Sequence, residues 1–178
     1  MIRSYSVFLG ALALTCAFNA SALPTFTGPI ATASANIKVT QSSQIDMSAD
    51  SVANTLPDNT AELVGKNLFK ISLDSADKNI KIALAGDVDT VIDGNGLVRS
   101  SVKDDGTKLI GVIEDSFKDQ ITSDSSFIPP TANQSADAAA LLLTGENMYR
   151  ITFRAADVEQ NIAAGAYDFN FVAQAYTD

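Results

Sequence analysis

The stretch AGAYDFNFVAQAYTD, residues 164–178, decides the fold. Tyr167, Phe169, Phe171, Ala173 and Ala175 alternate with Asp168, Asn170, Val172, Gln174 and Tyr176. An extended chain points successive side chains to opposite faces, so a period of two over this length marks a half-buried β-strand, expected from Ala166 onward. The pattern persists almost to Asp178, where most domains turn loose and polar. Such a strand needs a partner to hold it.

Moving outward, the same short-period texture recurs. Strands are expected at Gln44–Ser48, Asn67–Leu73, Asn79–Leu84, Leu97–Val102, Lys108–Ile113 and Met148–Arg154. Turn chemistry separates them. Asp93-Gly94-Asn95-Gly96 and Asp104-Asp105-Gly106 carry hairpin signals, and Pro129-Pro130 marks a loop. Residues 136–143, ADAAALLL, fit a short helix or a buried strand; Thr144-Gly145 turning directly into the next alternating run favours the strand. Many short strands at even spacing imply an all-β, immunoglobulin-like antiparallel sandwich.

The amino-terminal side holds a second alternating run. In LPTFTGPIATASANIKVTQ, residues 23–41, Ala31, Ala33, Ala35, Ile37 and Val39 fall on one side of an extended chain, and Thr32, Ser34, Asn36, Lys38 and Thr40 on the other. Pro24 and Pro29 keep the preceding residues extended. Taken alone, the run fits an ordinary first strand pairing within its own sheet. Before it, residues 1–22 combine Arg3, an apolar run from Val7 to about Ala17, and Ala20-Ser21-Ala22. That is the pattern of a cleaved secretory signal peptide. The expected organisation is therefore a signal peptide (1–22), an N-terminal extension (23–41) and a β-sandwich domain (42–178).

Composition removes whole classes of chemistry. The sequence has no histidine and one cysteine, Cys16, which lies in the segment expected to be removed. Histidine triads, Cys/His pairs and thiolate or histidine zinc sites are thereby excluded from the processed chain. A formal net charge of −9 without a basic stripe argues against nucleic acid as a partner. Asp87, Asp89, Asp93 and Asn95 are closely spaced oxygen ligands, yet a calcium loop opened at Asp87 places Val91, Ile92 and Val98 at its fifth, sixth and twelfth positions. That spacing fails the EF-hand pattern, and a strand followed by a turn explains the residues. Asp104-Asp105-Gly106-Thr107 lacks the second aspartate loop that carboxylate-pair chemistry requires. Glu114, Asp115, Asp119 and Asp124 read as a solvated acidic face. Neither a catalytic set nor a metal or cofactor site is expected.

The two ends together resemble the structural pilin subunits of chaperone-usher fimbriae, in their cysteine-free branch. NIKVTQSSQID is similar to the start of colonisation-factor pilins, and IAAGAY to the corresponding turn of capsule-like fibre subunits. Gly165 is similar to the glycine that opens the closing strand in that family, and Tyr176 to its penultimate aromatic, although here it stands third from the end. The resemblance implies a sandwich short of one strand, completed by a donor. A periplasmic chaperone lends that strand first, and at the outer-membrane usher the extension of the next subunit replaces it. Ala31, Ala33, Ala35, Ile37 and Val39 would then be donor-strand anchors. Gly165, Tyr167, Phe169, Phe171, Ala173, Ala175 and Tyr176 would form the receiving strand, with Asp178 supplying the carboxylate that the chaperone grips. The implied partners are neighbouring subunits, the chaperone, the usher and a host-surface receptor, with the product located in a surface fimbria.

Overall fold

A computed structural model describes residues 25–34, 45–51, 60–101, 103, 106–160, 162, 163 and 165–177, and within them the alternating runs become strands. In chain order these are β1 (Thr25–Ser34), β2 (Ile45–Ser51), β3 (Asn67–Ser75), β4 (Lys81–Gly86), β5 (Val91–Ile92) and β6 (Leu97–Arg99). They continue as β7 (Ile110–Ile113), β8 (Ile121–Thr122), β9 (Ala140–Leu143), β10 (Met148–Ala155) and β11 (Asn170–Thr177). A short α-helix, α1, spans Thr60–Leu63, and 3-10 turns cover Asp115–Gln120 and Ser125–Phe127. Two antiparallel sheets face each other, one ordered β1-β11-β4-β9-β8 and the other β2-β3-β10-β7-β6-β5. The all-β sandwich expected from the turn spacing is what the chain forms.

Period two dictates the interface between the sheets. Tyr149, Ile151, Phe153 and Ala155 of β10 are buried while Met148, Arg150 and Arg154 stay exposed. From β3 come Phe69, Ile71 and Leu73, and from β11 Phe171, Ala173 and Ala175. Phe69 stacks on Phe153 at 4.5 Å between centroids, and Phe171 lies 5.6 Å from Phe69 and 5.4 Å from Phe153. This aromatic knot ties the two sheets together. Separations of this size are those at which aromatic pairs contribute about 0.5–1.5 kcal/mol beyond their burial.

The turn motifs behave as turns. In Asp93-Gly94-Asn95-Gly96, the Asp93 carboxylate accepts the amides of Asn95 (2.9 Å) and Leu97 (3.0 Å) and its second oxygen meets Arg99 at 3.0 Å. Gly96 has φ +76°, a left-handed conformation that glycine adopts without penalty. The aspartate suggestive of a cation ligand is thus spent on its own hairpin, between β5 and β6. Among the described residues no group of three acidic or other ligating side chains could hold a metal ion. Around Gly106, whose amide donates to the Lys103 carbonyl at 2.8 Å, the chain turns from β6 towards β7. Residues 140–143 of the ambiguous run form β9, a strand as favoured.

Several boundaries differ from the sequence reading. The strands around Leu97 and Lys108 are shorter, at Leu97–Arg99 and Ile110–Ile113, and the one placed from Asn79 starts at Lys81. Asp77 explains the last difference, because its carboxylate accepts the Asn79 amide at 2.9 Å and holds that residue in a turn. Glu114 is not simply solvated either. Its carboxylate accepts the Thr152 amide of β10 at 2.9 Å, whereas Asp115, Asp119 and Asp124 are exposed as expected.

Candidate functional site

The terminal strand lies inside its sheet. On one edge β11 pairs with β4, setting Phe171 opposite Gly86 and Tyr176 opposite Lys81. On the other it pairs with β1, setting Thr25 opposite Thr177, Ala31 opposite Ala173 and Ala33 opposite Phe171. The strand that completes the sheet is therefore the chain's own N-terminal segment. Among the described residues β1 pairs with β11 alone and forms the sheet's edge. Of the expected donor residues, Ala31 and Ala33 lie on β1; Ala35, Ile37 and Val39 fall outside the described residues.

The β1–β11 ladder is interrupted. From Thr25 to Thr27 it runs in one register, from Ala31 to Ser34 in another, and the shift falls between Thr27 and Ala31. Gly28, Pro29 and Ile30 thus stand where β11 has the single residue Gln174. Proline has no amide to give a ladder, and glycine packs no side chain, so both residue types are at home in bulges and edge strands. Thr25 to Pro29, which precede the alternating run in the extension, are part of the strand itself.

β11 is not half-buried, as its alternation suggested. Every residue from Phe171 to Tyr176 is buried. Phe171, Ala173 and Ala175 enter the core between the sheets, while Val172 and Tyr176 join a second cluster with Ala83, Ala85, Ile128, Ala132, Ala138 and Ala140. The segment after β8 covers that outer face. It is pinned by the Asn133 amide donating to the Gly86 carbonyl (2.9 Å) and the Ala139 amide donating to Ile92 (2.7 Å). Phe127 meets Tyr176 edge-on at 5.4 Å. Within this segment Ser126 donates to the Asp124 carboxylate, which holds that carboxyl below its usual range, and the Ser135 hydroxyl does the same for Asp137, with Arg99 helping. Sequence reading missed this cover, and the signal available was the small-residue run on either side of Pro129-Pro130.

Among the described residues one buried side-chain polar atom is left over. Gln174 is 7% exposed, and its Oε1 is a buried atom with no hydrogen-bond partner. Alternation along β11 puts it on the covered outer face, between Ala83 of β4 and the bulge of β1.

Three residues expected in the terminal strand precede it. Gly165 is exposed with φ +142°, five positions before β11 opens at Asn170. Phe169 is buried against Phe69 at 4.8 Å. Tyr167 bends back on its own approach: its hydroxyl accepts the Ala163 amide at 2.9 Å and donates to the Ala163 carbonyl at 2.8 Å. This is the geometry of a tyrosine corner, which fixes the angle at which a sandwich strand enters its sheet. The Lys103 ammonium caps the ring at 4.8 Å. The strand starts late because residues 165–169 are committed to this corner. Replacing Tyr167 by Phe is expected to cost about 1–2 kcal/mol, since it strips the Ala163 backbone of both partners; urea unfolding of the monomer measures it. Tyr176 is in the strand but on its outer face, and Asp178 lies outside the described residues.

The two ends of the sandwich can be told apart. Ile45 opens β2 opposite Ser75, and the short turn after Ser75 leads to Lys81, opposite Tyr176. At the other end Ser51 lies opposite Phe69, whose ring meets Phe171. Thus β1 and β2 run in the same direction, one in each sheet. Ser34 ends at the Phe171 end and Ile45 begins at the Tyr176 end.

No family model and no curated protein matches this chain. Among solved structures, it is similar to the crystal structure of Salmonella SafD adhesin, at 12% identity and a TM-score of 0.47, over 74% of this chain and 84% of that one.

Proposed function

We propose that this protein is a non-enzymatic structural subunit of a surface fimbria, assembled by exchange of N-terminal strands between copies. The observation that carries the reading is the placement of β1. Among the described residues it is an edge strand paired with β11 alone, and that receiving strand is buried on both faces. An element so placed can leave its own sheet and enter that of a neighbour without disturbing either core. A head-to-tail exchange of this kind does not close on itself, so it yields an open filament.

The rest of the proposal follows the sequence. Residues 1–22 direct export, residues 23–41 serve as the donated extension, and Ala31, Ala33, Ala35, Ile37 and Val39 are its anchors. Before assembly a periplasmic chaperone covers β11 by strand addition, with Asp178 as its carboxylate handle, and an outer-membrane usher hands the subunit on. The fibre carries adhesion or colonisation through a host receptor. A second reading is favoured by the pairing of β1 with its own β11: a self-contained secreted sandwich that binds glycan or host protein as a monomer.

Material collected from the cell surface separates the two. Run unboiled in detergent, a fibre gives a ladder of multiples that boiling collapses to one band. A single monomer band under both conditions rejects the fibre.

A further inference from the structure

We propose that the outer face of the sheet β2-β3-β10-β7-β6-β5 is a docking surface for a second copy of this chain, turned so that the acidic side of one face lies on the basic side of the other. The inference goes beyond the fibre reading and does not depend on it.

The two sheets differ on their outer sides. Residues 123–139 roof over the first, where Val172 and Tyr176 are buried beneath Ile128, Ala132 and Phe127. Among the described residues the second sheet has no such roof. Along β10 the outward Met148, Arg150 and Arg154 are all exposed. Met148, at 55%, is one of two large hydrophobic side chains exposed to that degree among the described residues. Next to β10 the outward Ile110 and Val112 of β7 and Leu97 of β6 are only half-buried. Apolar groups on a flat, uncovered face gain by leaving water, and such a patch rimmed by polar residues is the usual mark of a contact surface.

Charge on this face is sorted by side. Asp46 of β2 stands opposite Asp74 of β3, and Asp50 opposite Lys70. On β10, Met148 stands opposite Asp74, Thr152 opposite Lys70, and Arg154 opposite Val112 of β7. The β2 side is therefore acidic and the β10 side basic. Three acids and three cations over β2, β3 and β10 balance to zero (−3 + 3 = 0), in a chain whose net charge is −9. Two copies that repel one another elsewhere meet no net repulsion here, and a two-fold contact repeats each acid-on-base match once on either half.

Size sets the strength. Five strand spacings of about 4.8 Å and a β10 of about 24 Å give a face on the order of 500 Å2, or about 1,000 Å2 over both partners. That is the lower end for a specific interface, so the pair is weak and reversible.

Sedimentation of the protein from low micromolar to near-millimolar concentration tests this. A dimer should appear at the upper end, and raising the salt from about 0.05 to about 0.5 M should weaken it at least fivefold. Asp46→Lys with Asp50→Lys, or Arg150→Glu with Arg154→Glu, should each weaken self-association at least tenfold. Mixed in equal amounts, the two variants should pair as tightly as the natural chain, because each then meets the opposite charge on both halves of the contact; that recovery also shows both are folded. A monomer at every concentration, or a dimer that the charge reversals leave intact or mixing fails to restore, overturns the proposal. Concentration-dependent amide shifts supply a second readout: they should fall on β2, β3 and β10, and shifts centred on residues 123–139 instead overturn it. Multiples made by strand exchange persist in unboiled detergent, whereas this contact dissociates there, so the loss of either leaves the other standing.

Discussion

Removing residues 23–34 is expected to abolish the folded monomer. Seven residues of β1 are in register with β11. Each ladder hydrogen bond is worth a net 0.5–1.5 kcal/mol or so. Loss of the strand also bares the edge beside Phe171, Ala173 and Ala175, with apolar surface worth about 25 cal/mol per Å2. The sum is on the order of 5 kcal/mol, against a total stability of about 5–15 kcal/mol for a domain of this kind. The truncated chain should aggregate or melt roughly 10–20 °C lower. Grafting residues 30–41 through a short turn after Asp178 should restore a stable monomer, because a strand entering beside Thr177 runs antiparallel to β11 as β1 does. Thermal unfolding of the two proteins checks this. Equal melting temperatures would remove any role for the segment as sheet-completing strand.

The second large effect lies in the aromatic knot. Phe153 is fully buried, 4.5 Å from Phe69 and 5.4 Å from Phe171. Phe153→Ala leaves a void between the sheets that neighbouring strands cannot close, at a cost of about 3–5 kcal/mol. In a domain of this size that lowers the melting temperature by roughly 10 °C. With a single cysteine in the sequence no intrachain disulfide can form, so nothing covalent limits the loss. Val88, 68% exposed, is the matching control, and Val88→Ala should change stability by less than about 0.5 kcal/mol. A drop at Phe153 no larger than that at Val88 would mean the sheets are not joined through this cluster.

How much of this was legible depended on whether one face of a strand meets water. β3 and β10 have a buried and a more open face, so their alternation is plain in sequence and their positions hold. β4 and β11 are buried on both faces, and there alternation misleads: Val172 and Tyr176 were read as the outward set. What covers them is a loop, whose course depends on backbone bonds such as Asn133 to Gly86 and leaves little trace in hydrophobic pattern. β5 and β8 have two residues each, too few for a period. The hairpins at Gly96 and Gly106 were readable because their geometry demands particular residues. The capping strand was readable in part. Its alternation is plain only from Ala31 onward, since Gly28 and Pro29, the residue types that permit a bulge, are also those that signal loop. The buried Gln174 could not be found from sequence, because a glutamine in an alternating run looks like a solvent-facing residue.

The order of strands in the first sheet has a kinetic consequence. β4 is flanked by β11 and β9, so residues 81–86 find no strand partner until the chain from 140 onward is available, and one flank waits for residues some ninety positions later. Contacts of such sequence separation are slow to form, typically on the millisecond-to-second scale. Throughout that interval the apolar strand Ile82-Ala83-Leu84-Ala85 stays without its ladder partners, a species prone to self-association. Yield of soluble material should therefore depend more on how quickly distant segments meet, and on what shields them meanwhile, than on the stability finally reached.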